Sequence, residues 1–211
     1  MGVKVVSRPP GYAQALGAGL APAMKKASMY LQSGALKKIN GGIAPANAPL
    51  TQEVKQGSRT LRDNGELMKS VAPHSGNLWA DAGTNLAYAR IQQEGGTVRP
   101  KNAKALFVPA SAKTRTLMRR YNAWTPRSLI AAMDGEYGFF KAGKVFFAYE
   151  KGRKLKSGKT GRQGKEFALF IMSRSVKIPP RPFLYIDDRD EAYLLKLVRD
   201  GVKEALHGKN S

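Results

Sequence analysis

Ile178-Pro179-Pro180-Arg181-Pro182-Phe183-Leu184, running on into Tyr185-Ile186-Asp187-Asp188, is the stretch that decides the fold. Its prolines hold φ near about −65° and push each preceding residue into extended geometry, so the segment reads as a stiff strut. The strut delivers Arg181 and Phe183 to a defined place. After it, Asp187 and Asp188 can cap a helix, and Tyr193, Leu194, Leu197, Val198, Val202, Ala205 and Leu206 fall on one helical stripe. A rigid connector leading into an amphipathic helix is a structural device and carries no chemistry of its own.

Upstream, Tyr12, Leu16, Leu20, Met24, Ala27, Tyr30 and Leu31 recur at three- and four-residue steps, which predicts a helix over 11–39. Pro22 either kinks it or opens a second helix, and Gly41-Gly42 ends the pattern. A Pro/Ala/Asn linker follows from Ile43 to Pro49, and Thr51 can cap a short helix. Leu67, Met68 and Val71 point to a brief helix after the Asn64-Gly65 turn, and Tyr88 to Gln93 to another that Gly95-Gly96 breaks. Strands are expected over 77–81 and 105–109, and with most weight over Val145 to Tyr149 and Phe167 to Ser173. Residues 111–138 fit neither period cleanly. The expected fold is α+β: an N-terminal helix, a small, mainly antiparallel sheet with a long basic hairpin insertion, and a C-terminal amphipathic helix. One domain is expected over 1–211, with a basic insertion at 111–165 and a flexible tail at 207–211.

The formal charge is +21, and it is lopsided. Residues 1–98 carry 11 Lys/Arg against 5 Asp/Glu, residues 99–177 carry 19 against 4, and residues 178–211 carry 6 against 6. The middle of the chain therefore repels itself unless a polyanion or an acidic neighbour lies close. Its densest part, Lys151 to Lys165, reads as a mobile basic hairpin loop. Arg153, Lys154, Lys156, Lys159, Arg162 and Lys165 are its candidates for polyanion or acidic-partner contact. Aromatic residues interleave with basic ones at Arg119, Arg120, Tyr121 and Trp124 and again across 141–151. That pattern suits base stacking, or sheet core, which is the expectation for Phe146, Phe147, Phe167 and Phe170.

Other chemistry finds little support. The chain has no cysteine, which excludes disulfides and thiolate chemistry and fits a reducing compartment. Gly152 to Thr160 imitates a phosphate-binding loop, but five residues separate its first Gly from Gly158-Lys159-Thr160 where the motif has four. His74 is expected in a turn and His207 in the last helix, neither with ligand-type neighbours. Asp187, Asp188, Asp190 and Glu191 suit a helix N-terminus better than a cation. No apolar run reaches the roughly 20 residues that cross a bilayer, residues 1–10 lack the apolar core of a signal peptide, and Val6 stands where a myristoylation signal needs Ser or Thr. No enzyme activity, cofactor, metal, membrane or small-molecule substrate is expected.

Three blocks combine into a pattern: Ala48-Pro49-Leu50-Thr51 running to Leu61-Arg62-Asp63-Asn64-Gly65-Glu66-Leu67-Met68-Lys69-Ser70; Ala82-Gly83-Thr84-Asn85-Leu86-Ala87-Tyr88-Ala89-Arg90-Ile91-Gln92-Gln93-Glu94-Gly95-Gly96; and Ile178 to Leu184. Together they resemble the tailed-phage virion morphogenesis (tail completion) family of Mu-like phages. More distantly they are similar to tail completion and head–tail joining proteins of lambda-like phages. Asn64 stands for the family's usual Thr, Gln92 for His, Pro180 for Ala and Tyr185 for Gly, and 111–165 is longer and more basic than the family norm. The resemblance implies a non-enzymatic virion protein at the neck or head-proximal tail end, assembled in the bacterial host cytoplasm. It would act as a homo-oligomeric ring, six-fold to match a tail, against neighbouring neck and tail proteins, with the basic stretch meeting acidic neighbours or the genomic DNA in the channel. Arg181 and Phe183 are then the leading subunit contacts, with Asn85, Tyr88 and Gln92 as further candidates. The intramolecular alternative makes Phe183 core and Arg181 the partner of a carbonyl. From a different class, residues 99–177 could serve a non-specific nucleic-acid-binding protein.

Overall fold

The computed structural model describes residues 12–55, 59–152 and 161–207. In chain order its elements are helices α1 (Tyr12–Gly41), α2 (Pro49–Lys55) and α3 (Glu66–Ser70), strands β1 (Ala72–Ser75) and β2 (Ala80–Gly83), then α4 (Ala89–Glu94), β3 (Gly96–Val98) and β4 (Leu106–Pro109). Helices α5 (Ala112–Arg120) and α6 (Pro126–Met133), strands β5 (Tyr137–Ala142), β6 (Val145–Glu150), β7 (Phe167–Ser173) and β8 (Val176–Ile178), and α7 (Asp188–His207) follow. The class is α+β, and every strand pairing is antiparallel. Where the sequence reads as one domain, the chain divides into two compact units: residues 1–44, 60–94 and 181–211 form the first, and 45–59 and 95–180 the second.

In the first unit the apolar steps of residues 12–41 close into a single helix that passes through Pro22 without ending. Helix α7 lies antiparallel to it, with Gly201 against Ala23 and the Tyr30 and Tyr193 rings 4.3 Å apart. A Cβ on Gly201 would sit 2.6 Å from the Ala23 Cβ, so the glycine is what lets the backbones approach. Asp187 starts α7 with its Oδ1 accepting from the Asp190 N–H at 2.9 Å, and Asp190 Oδ2 accepts back from the Asp187 N–H at 3.3 Å. This reciprocal cap uses Asp187 and Asp190 of the acidic run. The predicted stripe is only partly covered: Leu194, Leu197, Val202 and Ala205 are half-buried, whereas Tyr193, Val198 and Leu206 remain exposed. The core gathers Ala35, Ile39, Leu67, Val71, Ala89 and Phe183. The hairpin of β1 and β2 corrects the expected turn around His74, which lies in β1 opposite Asp81 with its Nδ1 3.0 Å from that carboxylate. Four-residue strands containing Pro73 carry no alternation that would announce them.

In the second unit, a four-stranded sheet of order β4-β7-β6-β5 carries α5 and α6 on one face. Ser111 caps α5, and Thr125 with Ser128 forms a capping box on α6, whose first residue is Pro126. Leu117, Leu129, Met133, Tyr137, Ala148, Leu169 and Phe170 are buried between helices and sheet, with Phe146 and Phe167 packed against them. Phe147, expected in that core, instead turns to the other face, because successive strand residues alternate. There its ring stacks on Phe140 at 5.1 Å, with 8° between the planes. Residues 111–152, read as part of a basic insertion, thus build two helices and two strands of this unit. Of the segment linking β6 to β7, residues 161–166 have no regular structure, and 153–160 lie outside the described residues. Of the tail expected at 207–211, His207 ends α7, and 208–211 likewise lie outside.

Candidate functional site

The Pro segment meets a single side-chain amide. Gln93, near the end of α4, accepts with Oε1 from the N–H groups of Phe183 (2.8 Å) and Leu184 (3.0 Å) and donates with Nε2 to the Leu184 carbonyl (2.9 Å). Beside it the Arg181 N–H donates to the Gln92 carbonyl at 2.8 Å. Proline cannot supply ladder donors, so a stiff proline-rich segment is held by the few N–H groups it retains. Phe183 is completely buried against Leu67, Val71 and Ala89, and Arg181 is 7% exposed. Burial pulls the Arg181 guanidinium pKa down. Both residues are therefore interior to their own unit, as in the intramolecular alternative, and present no free surface to a partner. Ser70 and Thr84 hydroxyls lie 2.6 Å apart, and Thr84 Oγ1 accepts from the Leu86 N–H, which turns the chain into α4.

The other contact candidates are at the surface. Asn85 and Tyr88 are exposed in the turn preceding α4, and Gln92 is half-buried. Partial burial raises the Tyr88 pKa, and Glu66 and Asp63 add to the shift. Alongside Phe183 runs a largely apolar groove of about 430 Å³ between Leu31 and Ala35 of α1, Ala80 to Ala82 of β2, and Leu184 to Ile186. Lys38 holds Tyr185 of this groove, donating to its carbonyl at 2.7 Å with the ammonium 3.7 Å from the ring centroid. The same ammonium lies 3.4 Å from Asp190 Oδ2, while Tyr30 donates to Asp190 Oδ1 at 2.9 Å. Desolvation alone would raise the Asp190 pKa, but the hydrogen bonds from Tyr30, the Asp187 backbone and Lys38 outweigh it and hold the carboxyl below its ordinary value.

In the second unit, Arg162 and Lys165 are exposed, while Arg153, Lys154, Lys156 and Lys159 fall outside the described residues. Tyr121 packs on the helix–sheet core, and Trp124 is 60% exposed with its Nε1 donating to Asn122 Oδ1. The pair is thus split between the two readings of its sequence. Lys113 and Lys151 pair with Glu150 and Asp134. Among the described residues no group of three or more His, Asp and Glu could hold a metal ion, and no helix is long and apolar enough to cross a membrane. Gln93 carries no signal of this role in the sequence, because its partners lie about ninety positions away and no local pattern reveals them.

No protein-family model, curated protein or solved structure matches the chain.

Proposed function

We propose that this chain is a structural virion protein of a tailed phage, acting as an oligomeric ring in tail completion or head–tail joining at the neck. One observation carries the reading: the separated blocks that resemble the tail completion family meet in one packed cluster. Leu67, Met68 and Ser70 of the first block, Thr84, Leu86, Ala89 and Gln93 of the second and Phe183 and Leu184 of the third all pack or hydrogen-bond there. Residues spaced so far apart in sequence yet joined in one scaffold are what a fold signature consists of, which supports the resemblance on which the reading rests. Arg181 and Phe183 act from inside, stiffening the subunit, while the exposed Asn85 and Tyr88 are the better-placed subunit contacts.

The test is a phage whose gene for this chain is interrupted, complemented in trans. Non-infectious lysates holding separate filled heads and tails are expected, with joining restored by added purified protein. Fully infectious particles lacking the chain would overturn the reading. A second reading, non-specific nucleic-acid binding by 99–177, is favoured by one feature: the unit formed by 45–59 and 95–180 holds 21 Lys/Arg against 5 Asp/Glu.

A further inference from the structure

We infer that one end of the four-stranded sheet, carrying Lys104, Lys141, Lys144 and Arg174, is a docking site for the phosphate backbone of double-stranded DNA. The inference deepens the second reading above and is independent of the virion role. It places the contact on the sheet instead of on the 151–165 loop.

The registers bring the four cations together. Leu106 pairs with Ser173, Val145 with Ile171 and Ala142 with Val145, so the start of β4, the ends of β5 and β7 and the start of β6 share one end of the sheet. Lys104 stands two residues before β4, Arg174 directly after β7, Lys144 directly before β6 and Lys141 one residue inside the end of β5. The Met172 N–H donates to the Lys144 carbonyl at 2.7 Å, which fastens the β5–β6 turn to β7. With strands about 4.8 Å apart, the row spans roughly 15 Å. B-DNA's major groove is about 12 Å wide, so the row reaches phosphates on both of its banks.

Charge is segregated along the strands. Of the unit's 5 carboxylates, Asp134, Glu136, Glu150 and Glu166 flank the opposite end of the sheet, and Glu53 lies on α2. Two ion pairs of the unit, Lys113–Glu150 and Lys151–Asp134, involve carboxylates at that opposite end. Lys104, Lys141, Lys144 and Arg174 are all exposed and meet no carboxylate among the described residues. Four neighbouring cations without acids hold their own counterions, and a polyanion gains by releasing them. Small residues separate them: Ala142 and Gly143 in one turn, Ser173 and Ser175 in the other, the latter turn closed by Ser173 Oγ donating to the Ser175 carbonyl. No aromatic or long aliphatic side chain stands in the two turns between the charges, exposed Phe107 lying outside them in β4, whereas a protein interface of useful affinity centres on such an anchor. A phosphate backbone needs only close approach and charge, which favours DNA over an acidic protein.

The experiment uses full-length protein and a mixed-sequence duplex of about 30 base pairs, titrated between about 50 and 200 mM salt. The variant Lys104→Gln/Lys141→Gln/Lys144→Gln/Arg174→Gln is compared with a charge-matched one, Lys25→Gln/Lys26→Gln/Lys37→Gln/Lys196→Gln, on the other unit. Unchanged circular dichroism and Tm verify both folds. At about 100 mM salt the sheet-end variant is expected to bind at least about tenfold more weakly, with a log–log salt slope about 3 shallower, and the control to stay close to wild type. Equal losses in both would reduce the effect to net charge and overturn the site. Loss on neutralising Arg153 to Lys165 with the sheet-end variant intact would overturn it while keeping the DNA-binding reading. Failure of the wild-type protein to bind duplex at all removes both. Equally tight, equally variant-sensitive binding of polyglutamate would assign the surface to an acidic protein and overturn the DNA site.

Discussion

Gln93 and Asp190 each join segments that are distant in sequence, and each gives a prediction at its own scale. Replacing Gln93 by Ala strips the partners from two N–H groups and one carbonyl beside the fully buried Phe183. The expected loss is about 2–3 kcal/mol in urea unfolding, since orphaned interior polar groups cost more than a hydrogen bond contributes. Gln93→Glu keeps the acceptor for both N–H groups but loses the donor to Leu184, so it should fall between. Asp190 has a depressed folded pKa, so its stabilisation is present above its unfolded pKa of about 3.9 and is lost as pH falls through the lower folded value. Asp190→Asn should therefore unfold with a flatter pH profile below about pH 4, the gap from wild type closing as acid is added. A variant profile parallel to wild type across that window would contradict the assignment.

Among elements, the α1–α7 pair is set by how closely its backbones approach at Gly201. Gly201→Val should cost about 1–3 kcal/mol in thermal unfolding, because overpacking against Ala23 and Leu20 outweighs the few tenths gained in helix propensity on leaving glycine. Both helices were legible in the sequence because long apolar periods and caps are local signals, and so were β4, β6 and β7. Strands β1, β3 and β8 were not: three or four residues such as Ala72-Pro73-His74-Ser75 or Gly96-Thr97-Val98 hold no period, and they exist because a partner strand supplies their hydrogen bonds. In β5, Gly138 looks like a breaker, yet the strand passes through it, and the Tyr149 ring on the neighbouring strand fills the space its missing side chain leaves. At the candidate sites, the loop's basic content and the Pro segment were readable, whereas the burial of Arg181 and the row of cations at one sheet end emerge only from register. Gly95 shows the same dependence: at φ +73° its missing Cβ makes room for the Pro180 backbone, so Gly95→Ala should destabilise the unit that holds both.

For the molecule as a whole, charge divides as the contacts do. The unit formed by 45–59 and 95–180 has a net charge of +16 and the other +5. Self-repulsion screened over about 10 Å at 0.1 M salt predicts that added salt raises the melting temperature of the strongly basic unit and leaves the other nearly unchanged. Calorimetry at several ionic strengths would resolve the two transitions; equal shifts would contradict the division. The Pro/Ala/Asn linker at 43–49 holds one crossing, at 44/45, yet it does not announce two units, because each is assembled from separated stretches and the chain passes from one to the other four times. That interleaving governs the order of events on the ribosome. The sheet-bearing unit has all its residues once position 180 has emerged, whereas the helical unit still awaits Phe183 and the whole of α7. A nascent chain must therefore carry α1 without its mate while the later-starting unit matures, and the part of α1 that packs on α7 is open to chaperones until residues 188–207 are made.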